Sequence, residues 1–341
     1  MKKTLLFLVA LAMAVVFAGC SSSASSKEKL TIAWLPNESG ADLTEARDAI
    51  GKVIEEKTGK KVEHQTTTDY IVAIEAIANG NADMAFLGAQ GYIEAHNKND
   101  KVLPLVVPTG ASGTLDDAVY YSWLSVEKNN ADEYKNGGEF SIDNIQGKKF
   151  SFVSNSSTSG FKVPSNGIVS YFTGKSEFKD LTAEDLLEGG SDKFFSEVLY
   201  GGSHQGSAVN LLSGKADVAA FCDTCVNNYV ELAEGDENRP GAIYRVHDNA
   251  AEPFNTVTGK EFTLISVTPV LNAPFAINTE NVDEELQKQL LEIMTSDEIA
   301  NNEKVFVPEG SEFSGLFKKS ADERLIKVED SWFNPIRELS K

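Results

Sequence analysis

One short segment occurs twice in this chain, and it limits the possible folds more than any other feature. The first copy is GNADMAF (80–86) and the second is GKADVAAF (214–221). Each copy follows apolar residues at helical spacing and opens an apolar run typical of a buried strand. The shared glycine is expected to end the helix, and the shared aspartate to accept hydrogen bonds from free amides in the turn. Two such units predict two analogous lobes.

Strands and helices alternate around the first copy. An apolar run at 30–35 predicts a strand, and the helix that follows it is predicted to end at Gly59. A strand around Val62, a helix containing Tyr70 and a strand at 84–87 come next. This alternation predicts an α/β fold built on a mostly parallel sheet.

The length of the chain also favours two lobes. With 341 residues, the chain exceeds the size that a single hydrophobic core usually serves. VYYSWLSV (119–126) is expected to lead out of the first lobe and a strand at 263–268 to return, before regular structure breaks at 269–274. Two crossings of this kind would form a hinge. The predicted boundaries are 30–122 with 267–341 for lobe 1, and 123–266 for lobe 2.

The amino-terminal segment has the layout of a secretory signal. Lys2 and Lys3 precede an apolar run at 5–17, and Ala18 and Gly19 lead directly to Cys20. The run is too short to span a membrane as a mature helix.

A cysteine after two small residues resembles the bacterial lipobox, although Phe17 stands where leucine is usual. This predicts a signal peptide at 1–19, lipid attachment at Cys20 and a flexible tether at 20–29. The alternative is an ordinary cleaved signal with a leftover cysteine. The lipoprotein interpretation places the protein outside the cytoplasm, anchored to the outer face of the bacterial cytoplasmic membrane.

The charge of the chain excludes two classes of partner. Lysine and arginine number 31 against 51 aspartates and glutamates, which gives a formal net charge of -20. Such a chain repels nucleic acid and anionic lipid headgroups, and neither is expected as a partner. An anionic ligand therefore has to be held by local donors. No cofactor is predicted.

Cys222 and Cys225 form a C-x-x-C pair in a chain that is expected to be exported, where thiols are not kept reduced. Zinc would need two more ligands at suitable spacing, and the neighbouring sequence offers none. We interpret the pair as a disulfide or as two unpaired thiols, and predict no metal site.

The segment NSSTSGFKVP (155–164) carries the strongest chemical signal, because it offers consecutive hydroxyls where a helix is about to begin. Helix N-termini bind phosphate-like anions through free amides and the positive end of the helix dipole. The alternative is an ordinary Ser/Thr helix cap. In open parallel sheets ligands sit beyond the carboxyl ends of strands, so 88–91 and 222–224 are expected to line one cleft between the lobes.

The run SSTSGFKVP resembles the S-T-S-G-x-x-x-P signature of phosphonate-, phosphite- and phosphate-binding components of ABC importers. The similarity covers most of residues 30–300. It implies a type II periplasmic-binding-protein fold, with two lobes joined by a two-strand hinge. It further implies a substrate-binding lipoprotein that captures a small phosphorus oxyanion or phosphonate and delivers it to an ABC permease and its ATPase.

The resemblance also implies roles for individual residues. Ser157, Thr158 and Ser159 match the hydroxyls and amides that hold the phosphorus-bound oxygens. Tyr70 matches a tyrosine whose hydroxyl reaches the same group from the opposite lobe. His204 matches a histidine that donates to a ligand oxygen.

Two positions bear on the choice of ligand. Asp223 lies near the family's carboxylate that meets the amino group of aminoalkyl phosphonates, although the match could fall on Thr224. Family members that take aminoethyl phosphonate carry a tyrosine at the first-lobe strand end, where this chain has Leu87. The sequence leaves the identity of the phosphorus ligand open.

Two other functions remain as alternatives. An exported phosphorus-ester hydrolase would need a positioned nucleophile and base, and the chain has no P-loop, G-x-S-x-G or H-E-x-x-H motif. No catalytic residue is predicted. A lipoprotein that presents its ligand to a membrane sensor, or an adhesin, would have the same cleft.

Overall fold

The computed structural model describes residues 28–311 and 313–339. The predicted signal peptide at 1–19, Cys20 and most of the tether at 20–29 lie outside the described residues. Within the described ranges, no helix combines the length and the apolar character that a membrane span requires.

The chain alternates short strands and helices over most of its length. The strands are β1 (Lys29–Trp34), β2 (Lys61–Thr66), β3 (Met84–Phe86), β4 (Val102–Pro108), β5 (Val119–Glu127), β6 (Lys135–Asn136), β7 (Glu139–Phe140), β8 (Lys149–Phe152), β9 (Glu197–Tyr200), β10 (Val218–Cys222), β11 (Val230–Glu234), β12 (Ile243–Val246), β13 (Glu261–Leu271), β14 (Phe275–Asn278), β15 (Phe306–Pro308), β16 (Phe317–Lys319) and β17 (Leu325–Lys327). The α-helices are α1 (Thr44–Thr58), α2 (Tyr70–Ala78), α3 (Ala89–Lys98), α4 (Val163–Thr173), α5 (His204–Leu212), α6 (Glu284–Met294), α7 (Asp297–Ala300) and α8 (Asn334–Glu338).

In the described part of the chain, these strands form two large sheets. The first has the order β17-β4-β14-β3-β1-β2 and the second β11-β12-β13-β5-β10-β8-β9. The expectation of mostly parallel sheets is wrong. Only β1 with β2 and β3, and β8 with β9 and β10, pair in parallel, and the remaining pairs of the two sheets are antiparallel. Parallel pairs need a helical crossover, and the strands that return between the sheets have none.

The repeated segment adopts the same conformation in both copies. Gly80, after α2, has a φ of 73° and Gly214, after α5, has a φ of 74°. Only glycine adopts this left-handed conformation without steric cost, so both glycines end their helices as predicted. The predicted analogy between the two units is confirmed for the glycine that ends each helix.

The two aspartates of the repeat accept hydrogen bonds from amides of neighbouring strands, whereas amides of the turn were expected. Asp83 Oδ2 accepts a hydrogen bond of 2.8 Å from Thr31 N, and Asp217 Oδ2 accepts one of 2.8 Å from Lys149 N. Each aspartate amide in turn donates to the carbonyl of the same partner at 2.9 Å. The aspartates therefore join the start of one strand to the neighbouring strand.

Each large sheet has a hydrophobic core on both of its faces. On the first sheet, α2, α3 and α8 contribute to one core and α1 and α6 to the other. The second sheet is covered in the same way by two further clusters. The tail packs back on the first lobe as expected, with the Phe333 ring 5.0 Å from the Tyr92 ring.

The two predicted crossing strands lie side by side as β5 and β13, paired from Val119 with Leu271 to Glu127 with Phe262. The expected break at 269–274 is wrong in its first half, because β13 continues through Pro269 to Leu271. Proline has no amide proton to donate to a neighbouring strand. On the β12 side of β13 the pairing involves only 261–263, so Pro269 interrupts no hydrogen bond between β12 and β13.

Candidate functional site

A cavity of about 230 Å³ lies between residues of the two sheets. Its lining includes Gly88, which follows β3, and Thr224, which follows β10. These positions fall in the segments 88–91 and 222–224 that were expected to line one cleft. The carboxyl ends of β1 and β8 contribute the neighbouring segments, so the cavity collects strand ends from both lobes.

The STSG segment is a turn that packs tightly on β8. Ser157 caps a π-helical turn (Thr158–Lys162) that leads into α4, and its Oγ accepts a hydrogen bond of 3.1 Å from Gly160 N. A Cβ atom added at Gly160 would lie 2.3 Å from Val153 Cγ2, so a side chain would push the turn away from the residue that follows β8. The first amides of a helix have no intrahelical acceptor, and Ser157, Thr158 and Ser159 at the start of this one line the cavity.

The three hydroxyls of this segment are buried, each 1–2% exposed. Thr158 Oγ1 accepts a hydrogen bond of 2.9 Å from Gln90 N in α3, which belongs to the other sheet's layer. Ser159 Oγ is buried and has no hydrogen-bond partner within the described residues. Buried hydroxyls are almost always paired, so Ser159 Oγ is available to a bound molecule.

His204 is the first residue of α5, where Ser203 Oγ caps the helix by accepting from Gly206 N at 3.0 Å. His204 Nδ1 accepts a hydrogen bond of 3.0 Å from Cys222 N, so it carries no proton. Burial lowers the pKa of His204 to about 3. The ring is therefore neutral at physiological pH and its proton is on Nε2, 3.3 Å from Ser157 Oγ.

Tyr70 is the first residue of α2 and is 2% exposed. Its hydroxyl accepts a hydrogen bond of 2.7 Å from Asn37 Nδ2, which leaves its own proton free to donate. Burial raises the pKa of Tyr70, and the hydroxyl lies beside that of Ser157. The structure thus brings Tyr70, Ser157, Thr158, Ser159 and His204 together at one cavity.

The structure does not bring Asp223 to the cavity. Asp223 Oδ1 accepts a hydrogen bond of 2.9 Å from Tyr121 N in β5, and the carboxyl is turned to that strand. Burial raises its pKa to about 6. Thr224 lines the cavity instead, as the alternative match allowed.

Leu87 is also absent from the cavity lining and is fully buried in the first-lobe core. A tyrosine hydroxyl comes instead from Tyr120 in β5, beside the hydroxyls of Ser159 and Thr158. Sequence reasoning missed Tyr120 because it considered only carboxyl ends of strands. β5 runs antiparallel to β10, so its amino end reaches the same edge. Side chains two residues apart in a strand lie on the same face, so Tyr120 and Ser122 face the same way. Ser122 Oγ donates to Ser159 O, which places this face against the STSG turn.

Two further polar cavity residues that the sequence analysis missed, Asn37 and Glu38, lie in the turn after β1. Asn37 Oδ1 accepts a hydrogen bond of 3.0 Å from His204 N, and Asn37 O accepts one of 3.1 Å from Gln205 Nε2. Glu38 lines the cavity next to Asn37. The strand-end rule that selected 88–91 applies equally to this turn and could have found both residues.

Residues 32–333 match the family model of the periplasmic phosphonate substrate-binding proteins of ABC transporters. The chain belongs to this family. A similar curated protein is the phosphate-import protein PhnD of Mycolicibacterium smegmatis, 28% identical over 222 residues. That match covers 64% of this chain and 62% of the relative, which is less than two thirds of the relative's length.

Two solved structures of similar proteins share the fold. A binding protein component of an ABC phosphonate transporter from Pseudomonas aeruginosa has a TM-score of 0.63 at 18% identity, covering 92% of this chain and 85% of that one. PhnD1 from Prochlorococcus marinus, in complex with methylphosphonate, has a TM-score of 0.61 at 16% identity, covering 92% and 97%. The predicted family and the α/β periplasmic-binding-protein fold are confirmed.

In this member of the phosphonate-binding family, Cys222 and Cys225 form a disulfide with a Cα–Cα distance of 5.5 Å. The bond lies beside His204, and the three side chains bring their potential metal-ligand atoms within 4.8 Å of one another. Zinc binds cysteine as a free thiolate, which a disulfide does not offer. Cys225 lines the cavity, and the disulfide-bonded pair offers no thiolate to a metal ion.

The Ser157–His204 contact superficially resembles the nucleophile and base of a hydrolase. A base must accept the serine proton, but His204 Nε2 carries a proton and Nδ1 is already bound by Cys222 N. No carboxylate of the described residues contacts the ring to orient it as in a catalytic triad. The arrangement suits hydrogen bonding to an anion.

Proposed function

We propose that this protein captures a small phosphorus oxyanion or phosphonate between its lobes and delivers it to an ABC permease and its ATPase. The observation that supports this most is the convergence of neutral donors on one cavity. Tyr70, Ser157, Thr158, Ser159 and His204 offer hydroxyl and imidazole protons without a full positive charge. Fixed neutral dipoles stabilise a buried anion well, and family membership supports the choice of ligand class.

Ligand binding is proposed to close the two lobes around the hinge. Several hydrogen bonds join the layers of the two sheets: Ser156 Oγ donates to Glu94 Oε2 at 2.7 Å, and Tyr229 OH donates to Asp42 Oδ2 at 2.7 Å. Because donors to the anion come from both lobes, the ligand favours the closed form, which the permease would recognise. The proposed lobe boundaries, after 122 and after 266, fall within β5 and β13.

The proposed place of action is outside the cytoplasm, as for a periplasmic component of an importer. Lipid attachment through Cys20 would hold the protein at the outer face of the membrane. Replacing Cys20 with serine is expected to release the protein into the soluble extracytoplasmic fraction. Retention of this variant in the membrane fraction would contradict lipid anchoring.

Thr158 provides the direct test of the binding function. Replacing Thr158 with valine keeps the shape but removes the hydroxyl, which contacts Gln90 N and faces the cavity. The change is expected to weaken binding by about 1–3 kcal/mol, or about 5- to 150-fold. Calorimetric titration with phosphate, phosphite, methylphosphonate and aminoethyl phosphonate measures the effect.

The matched control is Thr158→Ser, which retains the hydroxyl and is expected to stay close to the wild type. Equal affinity of the valine and wild-type proteins would remove Thr158 from the binding site. If the wild-type protein bound none of the four compounds, the proposed function itself would be wrong.

A further inference from the structure

Glu38 is a buried carboxyl group that the binding scheme above does not use. It ends the short turn after β1, lines the cavity and is only 9% exposed. Its Oε2 has no hydrogen-bond partner within residues 28–311 and 313–339. A buried carboxyl oxygen without a partner is costly, so its retention at a binding cavity indicates contact with a bound molecule.

The nearest cation does not neutralise this carboxyl group. Arg47 Nη1 from α1 donates to the main-chain carbonyl of Glu38 and, at 3.0 Å, to that of Gly40, while Nη2 donates to Thr44 Oγ1 at 3.0 Å. The guanidinium thus fixes the turn through its backbone. No ion pair involving the Glu38 carboxyl occurs among the described side chains.

The carboxyl group lies close to the oxyanion donors. Asn37, the preceding residue, contacts both Tyr70 OH and His204 N. The charge of an ionised Glu38 would raise the pKa of the Tyr70 and Tyr120 hydroxyls, which are the hydroxyls beside the STSG turn. Glu38 and a bound oxyanion would therefore share one small cavity of about 230 Å³.

Several other charged or titratable groups line the cavity or contact residues that line it. They are Asp42 in the segment before α1, Arg47 in α1, Tyr70 in α2, Tyr120 in β5, His204 in α5, Tyr229 before β11, Lys318 in β16 and Glu323 before β17. Lys318 is 66% exposed and lies 3.9 Å from Glu237. Glu323 accepts hydrogen bonds from Ser320 and Ala321. Lys318 is thus a second cation at the cavity, but no ion pair of the described residues joins it to Glu38.

Two negative charges in one desolvated cavity repel each other, and a single proton between their oxygens removes most of the repulsion. Burial raises the pKa of Glu38 to about 8, so the carboxyl carries a proton at neutral pH before any anion arrives. A protonated carboxyl is a hydrogen-bond donor, whereas its ionised form can only accept.

We propose that Glu38 is a ligand-binding residue that shares one proton with the bound phosphorus oxyanion. The proton lies either on Glu38, donating to P–O⁻, or on the ligand, with P–OH donating to the carboxylate; both descriptions contain the same atoms and charge. Capture of the ligand is therefore coupled to one proton. This inference rests on the proposed function, and it identifies Glu38 as the residue that makes ligand binding pH-dependent.

The test compares the pH dependence of binding in the wild type and in Glu38→Gln, by calorimetric titration with methylphosphonate, phosphate and aminoethyl phosphonate between pH 6 and 9.5. Above about pH 8, wild-type affinity is expected to fall by about tenfold per pH unit, because one proton must be taken up. Glutamine does not ionise and its amide still donates, so the variant is expected to lack this fall. The ligand's own titration is common to both proteins and cancels in their ratio.

Proton counting supplies a second readout. Titrations at pH 9 in two buffers with different ionisation enthalpies are expected to show about one proton more taken up by the wild type than by the variant. Asp223→Asn is the control for a buried carboxyl outside the cavity, and it is expected to keep the fall above pH 8. A thermal melt establishes that each variant is folded.

The outcomes separate this inference from the proposed function. Parallel pH profiles for the wild type and Glu38→Gln would overturn the shared proton. A Glu38→Gln effect confined to aminoethyl phosphonate would also overturn it, because Glu38 would then pair with a cationic substituent. If no phosphorus compound bound the wild-type protein, the proposed function itself would be contradicted.

Discussion

Replacing Gly206 with alanine is expected to destabilise the protein by about 1–3 kcal/mol and to weaken ligand binding at least about tenfold. Gly206 lies in the first turn of α5, where the chain after β9 passes directly against it. A Cβ at Gly206 would lie 2.1 Å from Gly201 O, and a Cβ at Gly201 would lie 2.2 Å from Ser207 N. Both close contacts are with backbone atoms, so the added methyl group cannot be accommodated by the movement of a flexible side chain.

The binding loss follows from the position of His204 in the same turn. A shift that relieves the contact with Gly201 O moves the imidazole away from Cys222 N and from the cavity. Gly167, in the helix α4, is the matched control: a Cβ there meets nothing within 4 Å. Gly167→Ala is expected to stabilise the protein by about 0.5–1 kcal/mol. Urea unfolding and calorimetry measure both variants, and equal behaviour of the two would contradict this account.

Glu38→Gln is expected to stabilise the ligand-free protein by about 3 kcal/mol at pH 7. Burial raises the pKa of Glu38 from 4.5 to about 8 on folding. The folded state therefore holds this proton more tightly than the unfolded state. The stability associated with the protonated group is fully present below pH 4.5 and is lost as the pH rises from 4.5 to about 8. Each pKa unit corresponds to about 1.4 kcal/mol, which gives the expected difference at pH 7.

Glutamine cannot ionise, so the advantage of the variant is expected to disappear near pH 4, where the wild-type carboxyl is protonated in both states. Urea unfolding at pH 4 and pH 7 tests this. A stability difference of the same size at both pH values would show that packing, rather than the proton, explains it. The expected stabilisation, together with lost pH-dependent binding, is the usual trade-off between stability and function at a binding site.

The local features of both lobes could be predicted from the sequence because they depend on residues close together in the chain. Gly59, Gly80 and Gly214 have positive φ values at the ends of their helices, as expected. The STSG run forms the predicted helix start because Ser157 Oγ reaches Gly160 N, three residues on. Such hydrogen bonds require only short-range spacing.

The pairing of strands and the lining of the cavity could not be predicted in the same way. The sheets contain more antiparallel pairs than expected because β5 and β13 carry the chain between the lobes, and β14, where the chain has returned, runs against both of its neighbours. That path also brings Tyr120 to the cavity and turns Asp223 toward Tyr121 N. A local pattern states which residues face one side of a strand, but not which other strand they meet.

The sequence by itself determined the αβ units, their glycine ends and the Ser157-capped helix start at 157–160. Only the tertiary structure decided the hydrogen-bonding state of the site: the neutral His204 with its proton on Nε2, and the buried Glu38 without a partner for Oε2. The reason is that local structure arises from hydrogen bonds within a few residues. Burial, and with it each pKa, arises from segments that are far apart in the chain and meet only when it folds.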